Sequence, residues 1–165
     1  MESGYDISAA SEVMAILCLA SGVDDLRARL ARTIVGYGPT GSPVTVEDIG
    51  ATGGALALLA DALRPNLVQT TEGVPALVHG GPFANIAHGT NSMIATRLAL
   101  ATGADVITEA GFGFDLGGQK FLDIACRSAG IWPRVVVLVV TLKALRLHGG
   151  APLADASTGD PAALT

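Results

Sequence analysis

Residues 78–92, VHGGPFANIAHGTNS, concentrate groups able to do chemistry: His79 and His88, three glycines, Asn85 and Asn91, and a Thr90–Asn91–Ser92 run. The segment shows neither helical period nor strand alternation, so it reads as a loop. Three uses fit these residue types. A metal site needs close His/Cys/Asp/Glu spacing, and the histidines stand nine positions apart with no cysteine nearby. Alternatively, the histidines simply satisfy backbone groups. The third use is anion and substrate handling. Gly80, Gly81 and Gly89 allow close backbone approach, Asn85 and Asn91 offer neutral donors, and Thr90, Asn91 and Ser92 open a helix whose N-terminus favours phosphate or carboxylate. The third use fits the composition best.

A second polar cluster lies in TEAGFGFDLGGQK, residues 108–120. Glu109 follows an apolar stretch and Asp115 sits in the glycine-rich loop beyond it. They can contact Mg²⁺ or water or act as a base. The alternative is that Asp115 caps a helix from Leu116 onward and Glu109 pairs with a lysine. The chain contains no GxxxxGK[ST] phosphate loop and no G-x-S-x-G elbow, and the glycines of GFGFDLGG do not have the GxGxxG spacing of the dinucleotide fingerprint.

These loops need elements to hold them. Ser8 is placed to cap a helix through residues 11–20, with Val13, Ile16, Leu17 and Ala20 inward and Gly22 ending it. Asp24 caps a second helix with Leu26, Leu30 and Ile34 on its inner face. Residues 36–43 are turn-rich. A third helix follows an acidic turn, with Ala55, Leu56, Leu59 and Leu63 apolar and Pro65 as its stop. Residues 66–73, NLVQTTEG, start as a short strand, and residues 75–78 are another short apolar piece. A fourth helix carries Ile94, Leu98 and Ala101 and stops at Gly103. Residues 104–108 read as a buried strand. Residues 135–140, VVVLVV, read as a strand buried on both faces, followed by a short helix and paired glycines. This order predicts an α/β fold with a mostly parallel sheet. The three glycine loops, residues 80–89, 111–118 and 149–150, are expected to converge at one edge of that sheet.

Composition limits the alternatives. A length of 165 residues suits one domain. Charged residues make up only 15%, against about 25% in typical soluble domains, which points to surface hidden by the fold, a partner or further chain. Net charge is −5 without a basic cluster, so nucleic acid is not an expected partner. No apolar run reaches the ~18 residues of a membrane span, and residues 1–8 do not read as a secretory signal. Cys18 and Cys126 form neither a CxxC site nor a disulfide framework, so the cytoplasm is the expected location.

NLVQTTEGVPALVHGGPFANIAHGTNSMIATRLAL resembles the central region of formate–tetrahydrofolate ligases, also called 10-formyltetrahydrofolate synthetases. ITEAGFGFDLGGQKFLDIACR, VVTLKALRLHGG and YDISAASEVMAILCLASGVDDLRARLARTIVGY are similar to further blocks of that family. The likeness runs from Tyr5 to about residue 150. It implies an ATP-dependent carbon–nitrogen ligase that forms 10-formyltetrahydrofolate, ADP and phosphate from formate, ATP and tetrahydrofolate through formyl phosphate. Mg²⁺, a monovalent cation and a homotetramer are implied with it, as is a main domain of the P-loop class. It also implies that residues 1–150 are the central part of the ligase domain, followed by a polar tail over residues 151–165. The family's phosphate loop would lie upstream and its later folate-binding regions downstream.

Carried over to this sequence, the loop from His79 to Asn91 would border the formyl-phosphate path. His79 or His88 would move the proton released when N10 attacks. Glu109 and Asp115 would lie near the metal. Several positions depart from the family pattern. Thr71 replaces leucine, Phe114 replaces a small residue, and GGQKF (residues 117–121) replaces GAEKF, so Gln119 lacks the usual carboxylate. Lys143 and Arg146 exchange the usual arginine and lysine, which keeps charge but changes geometry. Two other readings are an inactive remnant or interaction module, and a binding module for another small anion.

Lacking a phosphate loop of its own, the 165-residue chain is expected to hydrolyse no ATP. Release of phosphate from ATP by the purified chain, measured against a heat-treated control, would contradict this.

Overall fold

A computed structural model describes residues 11–81, 90–111 and 113–153. The chain divides into two compact units, Met1–Trp132 and Pro133–Thr165. The first begins with α1 (Glu12–Leu19), α2 (Val23–Ala31), the β1–β2 hairpin (Ile34–Tyr37 and Pro43–Thr45) and α3 (Thr52–Leu58). The β3–β4 hairpin (Asn66–Gln69 and Pro75–Val78) and α4 (Met93–Ala101) follow. The unit closes with a helical stretch containing two π-helical turns, Gly113–Gly118 and Phe121–Cys126, and then α5 (Arg127–Ala129).

Local chemistry sets the helix ends. Ser11 caps α1, its hydroxyl accepting from the Met14 N–H; Ser8 lies outside the described residues. Gly22 is the residue preceding α2 and provides no side-chain cap, so Asp24 is not the cap but lies in the first turn with Asp25. There both carboxylates face the positive end of the helix dipole. Asp25 accepts from the Ser21 N–H at 2.9 Å and pairs with Arg29 one turn on at 3.0 Å. α2 ends at Ala31, so Ile34 is in β1 and half exposed rather than on the helix's inner face.

The core forms where α1, α2 and α3 meet. Leu17, Ala20, Leu26 and Leu30 are buried, and Val13, Ile16, Ala55, Leu56, Leu59 and Leu63 pack against them. Those positions are the ones that helical periodicity selects. Leu59 and Leu63 lie beyond the regular end of α3 and keep their inward face through turns, with Leu59 N–H bonded to Ala55 O and Leu63 N–H to Leu59 O. α4 packs on both α1 and β4. Its buried residues are Met93 and Ala95, whereas Leu98 is half exposed, so the expected apolar stripe is displaced around the helix.

The α/β expectation holds at the level of class, but the described strands form two separate antiparallel hairpins and no parallel sheet. The reason is connection length. Residues 38–42 and 70–74 join the strand pairs, and a parallel crossover needs about a dozen residues or more. In β3–β4 the register pairs Asn66 with Val78 and Gln69 with Pro75. Thr70 closes the turn, its N–H donating to the Val74 carbonyl at 2.9 Å.

Three further expectations are corrected. Residues 104–108 form no strand, and Ile107 is 97% exposed. The glycine-rich stretch after them is not a loop but the first π-helical turn, which places Asp115 in its first turn rather than as a cap. Residues 135–140 of the second unit form no strand and are exposed throughout, because no described strand lies alongside to complete a ladder. The helical piece after them is present as α6 (Leu142–His148), capped by the Thr141 hydroxyl. No described helix is long and apolar enough to cross a membrane.

Leu26 is fully buried at the α1–α2–α3 junction. Leu26→Ala is expected to cost about 2–5 kcal/mol, read as a lower urea midpoint with an unchanged slope. A loss under about 1 kcal/mol would show that this cluster is not the core.

Candidate functional site

β4 ends at Val78, and the chain then enters the polar segment. His79 is buried, and its backbone N–H donates to Asn91 Oδ1 at 2.8 Å. Its carbonyl accepts from the Ser92 N–H at 3.2 Å. Asn91 Nδ2 donates back to the Leu77 carbonyl at 2.6 Å. Residues 77–79 and 91–92 are therefore held side by side, a neck between the two described ends of the polar segment.

The imidazole ties this neck to two other elements. Nε2 lies 2.5 Å from the carbonyl oxygen of Ala62, just beyond α3. A carbonyl only accepts, so Nε2 carries a proton. Nδ1 lies 2.5 Å from Ser92 Oγ, and Ser92 Oγ accepts the Ala95 N–H at 3.0 Å as the cap of α4. One consistent donor chain runs from Ala95 N–H to Ser92 Oγ, from the Ser92 hydroxyl to His79 Nδ1, and from Nε2–H to Ala62 O. Every polar atom of the ring is satisfied, as burial requires. Ser92 is fully buried, and its carbonyl takes the Thr96 hydroxyl at 2.9 Å.

Beyond the neck, Gly80 has φ +71°, a left-handed turn that strains any residue with a Cβ. The Gly81 N–H is bonded to the sulfur of Cys18, a fully buried residue of α1. Burial pushes the Cys18 thiol up from its ordinary range, and the Gly81 bond opposes that only partly. At the far side of the loop, buried Thr90 shares a 3.1 Å hydrogen bond with the Thr108 hydroxyl. This bond joins the flanks of the first two glycine segments. Glycines 149–150 belong to the second unit.

Of the residues singled out in the sequence, His79, Asn91 and Ser92 come together in one network, with Gly80, Gly81 and Thr90 adjoining it. Asn85, His88 and Gly89 lie outside the described residues. Glu109 and Asp115 are both exposed, and no group of three or more His, Cys, Asp or Glu is assembled among the described residues. A divalent cation needs several oxygen donors converging on one point. The described residues therefore bring together no carboxylate cluster that would hold Mg²⁺ by itself. The residues that sequence reading missed are the Leu77 and Ala62 carbonyls, Thr108 and Cys18. Two of these are main-chain acceptors, which have no residue-type signature.

The chain matches the family model described as formate–tetrahydrofolate ligase over residues 1–165. It is 61% identical over 163 residues to the formate–tetrahydrofolate ligase of Myxococcus xanthus, covering 99% of this chain and 30% of that relative. It is 60% identical over 163 residues to that of Acidiphilium cryptum, covering 99% of this chain and 29% of the relative. It is also 60% identical over 149 residues to that of Porphyromonas gingivalis, covering 90% and 27%. The chain thus spans less than a third of the length of these relatives.

The shared hydrogen bond predicts strong coupling between His79 and Ser92. His79→Ala and Ser92→Ala are each expected to destabilise by about 1–3 kcal/mol, and the double variant by less than their sum by roughly 0.5–3 kcal/mol. Urea denaturation of the four proteins measures this, and simple additivity would refute the donor chain.

Proposed function

This chain belongs to the formate–tetrahydrofolate ligase family, and from that premise we propose that it contributes the substrate-side loop of an ATP-dependent formate–tetrahydrofolate ligase. The observation that carries the reading is identity near 60% over nearly the whole chain. In the proposed reaction a formate oxygen attacks the γ-phosphorus of ATP, and ADP leaves. The N10 amine of tetrahydrofolate then attacks the formyl carbon, the C–O bond to phosphate breaks, and N10 loses a proton. The products are 10-formyltetrahydrofolate, ADP and phosphate.

In this reading the loop between residues 79 and 92 borders the formyl-phosphate path. Both negative oxygens and the tetrahedral centre call for fixed donors. The side chains of Asn91, Ser92 and Thr90 are engaged within the protein, so we assign them to hold the loop's neck. The contacts offered to an anion are assigned to the N–H groups of Gly80 and Gly89 and to Asn85. His79, with both ring nitrogens bonded, is assigned to positioning, and His88 to carrying the N10 proton. The phosphate cradle for ATP, within a mostly parallel P-loop-type sheet, is assigned to parts of the family's longer chain that this one does not match. Mg²⁺, a monovalent cation and a tetrameric assembly in the cytoplasm belong to the same proposal, with Glu109 and Asp115 as candidates to approach a metal held mainly elsewhere. Residues 1–150 form the central part of that ligase domain.

A longer chain joining this segment to a GxxxxGK[ST]-bearing one should convert formate, ATP and tetrahydrofolate into 10-formyltetrahydrofolate. In that chain His88→Ala is expected to lower kcat by about 10²–10⁴-fold with little change in stability. His79→Ala should lower stability as well as turnover. Near-normal turnover in both variants would remove the histidines from the mechanism. No product from the unsubstituted chain would favour the second reading, an interaction module without catalysis, to which the exposed apolar residues 135–140 lend support.

A further inference from the structure

The first π-helical turn, Gly113–Gly118, is fitted against the chain that leads into it. Gly117 and Gly118 are both buried. A Cβ on Gly117 would stand 2.5 Å from the Ala110 oxygen and 2.6 Å from the Gly111 carbonyl carbon. Both obstacles are main chain, so neither can rotate out of the way. A Cβ on Gly118 would meet the Phe114 ring at 2.7 Å from Cδ2 and 2.9 Å from Cε2. That obstacle is a side chain, and Phe114 is 53% exposed, so its ring can turn away and give up its seat on the helix.

The Phe114 ring thus fills the space in which a methyl on Gly118 would stand. Overpacking at such a contact destabilises, whereas a volume-conserving exchange is tolerated.

The packing is two residues from the candidate site. Ala110 and Gly111 follow Thr108, whose hydroxyl meets Thr90 at 3.1 Å. Thr90 in turn directly precedes Asn91 and Ser92 of the loop neck. Residues 110–111 therefore lie two and three positions beyond the Thr108 hydroxyl that bonds Thr90 at the neck.

We propose that Gly117 and the pair Phe114–Gly118 are positioning residues that hold Thr108 against Thr90 at the neck formed by residues 77–79 and 90–92. The proposal rests on the reading of that polar segment given above. Gly117 sets how closely the π-helical turn approaches residues 110–111, and the Phe114 ring over Gly118 holds the turn in that register.

The test uses Gly117→Ala and Gly118→Ala, each with and without Phe114→Ala, in the 165-residue chain. The thermal midpoint and the methyl NMR shifts of Thr90 and Thr108 are measured. G117A is expected to lower the midpoint by roughly 3–10 °C and to move the Thr108 methyl, with no rescue by F114A. G118A should lower it less, and F114A/G118A should return to the midpoint of F114A alone. If G117A does not fold, the Gly118 pair still decides the matter. A G118A loss that F114A leaves unrescued overturns the proposal, as does a G117A chain with unmoved Thr methyls.

In the longer, active chain G118A should lower kcat severalfold, and F114A/G118A should restore it. Turnover indifferent to G118A in an active chain overturns the positioning role and leaves the proposed function standing. A long unsubstituted chain without activity overturns the proposed function instead, while the midpoints and methyl shifts still report on the packing.

Discussion

The arrangement of the first unit depends on one buried imidazole. His79 joins three segments that are distant in sequence: the turns after α3 through Ala62, the end of β4 through its own backbone, and the start of α4 through Ser92. A two-stranded hairpin such as β3–β4 is marginal by itself. The ring gives it a fixed attachment to the helical core. Each contact is a hydrogen bond inside the protein, where an unsatisfied partner is costly and a satisfied set specifies one geometry.

That constraint also determines what the polar loop has left for chemistry. Asn91 and Ser92 are drawn inward to close the neck, Thr90 is drawn toward Thr108, and Gly81 is bonded to Cys18. The described polar side chains of this segment are thus engaged in holding its neck. Membership of the formate–tetrahydrofolate ligase family gives the loop a chemical context. The hydrogen-bond network fixes its neck.

Elements that satisfy their own backbone were legible in the sequence. The core faces of α1, α2 and α3 could be read from Leu17, Leu26, Leu30, Leu56 and Leu59, because an α-helix closes its hydrogen bonds locally and shows its buried side every three or four residues. The β3–β4 hairpin was half legible, as the start of a short strand and a second short apolar piece. Residues 135–140 had the composition of a strand but not its structure, since a strand exists only with a neighbour to bond. Residues 113–118 were misread because glycine signals a turn in general statistics. Here Gly117 and Gly118 instead allow a π-helical turn to approach other backbone and an aromatic ring.

The sequence by itself determined the family, the helical core faces and the concentration of reactive groups in residues 78–92. These follow from residue identity and short-range spacing, and both are written in the chain. Tertiary structure alone decided that His79 is bonded at both ring nitrogens, that Ser92 caps α4 while touching that ring, and that Gly117 must lack a side chain. The His79 partners lie 13 and 17 residues away and those of Gly117 six and seven, and in two cases the partner is a backbone carbonyl. A carbonyl is the same at every residue, so only the folded geometry selects which one a given side chain meets.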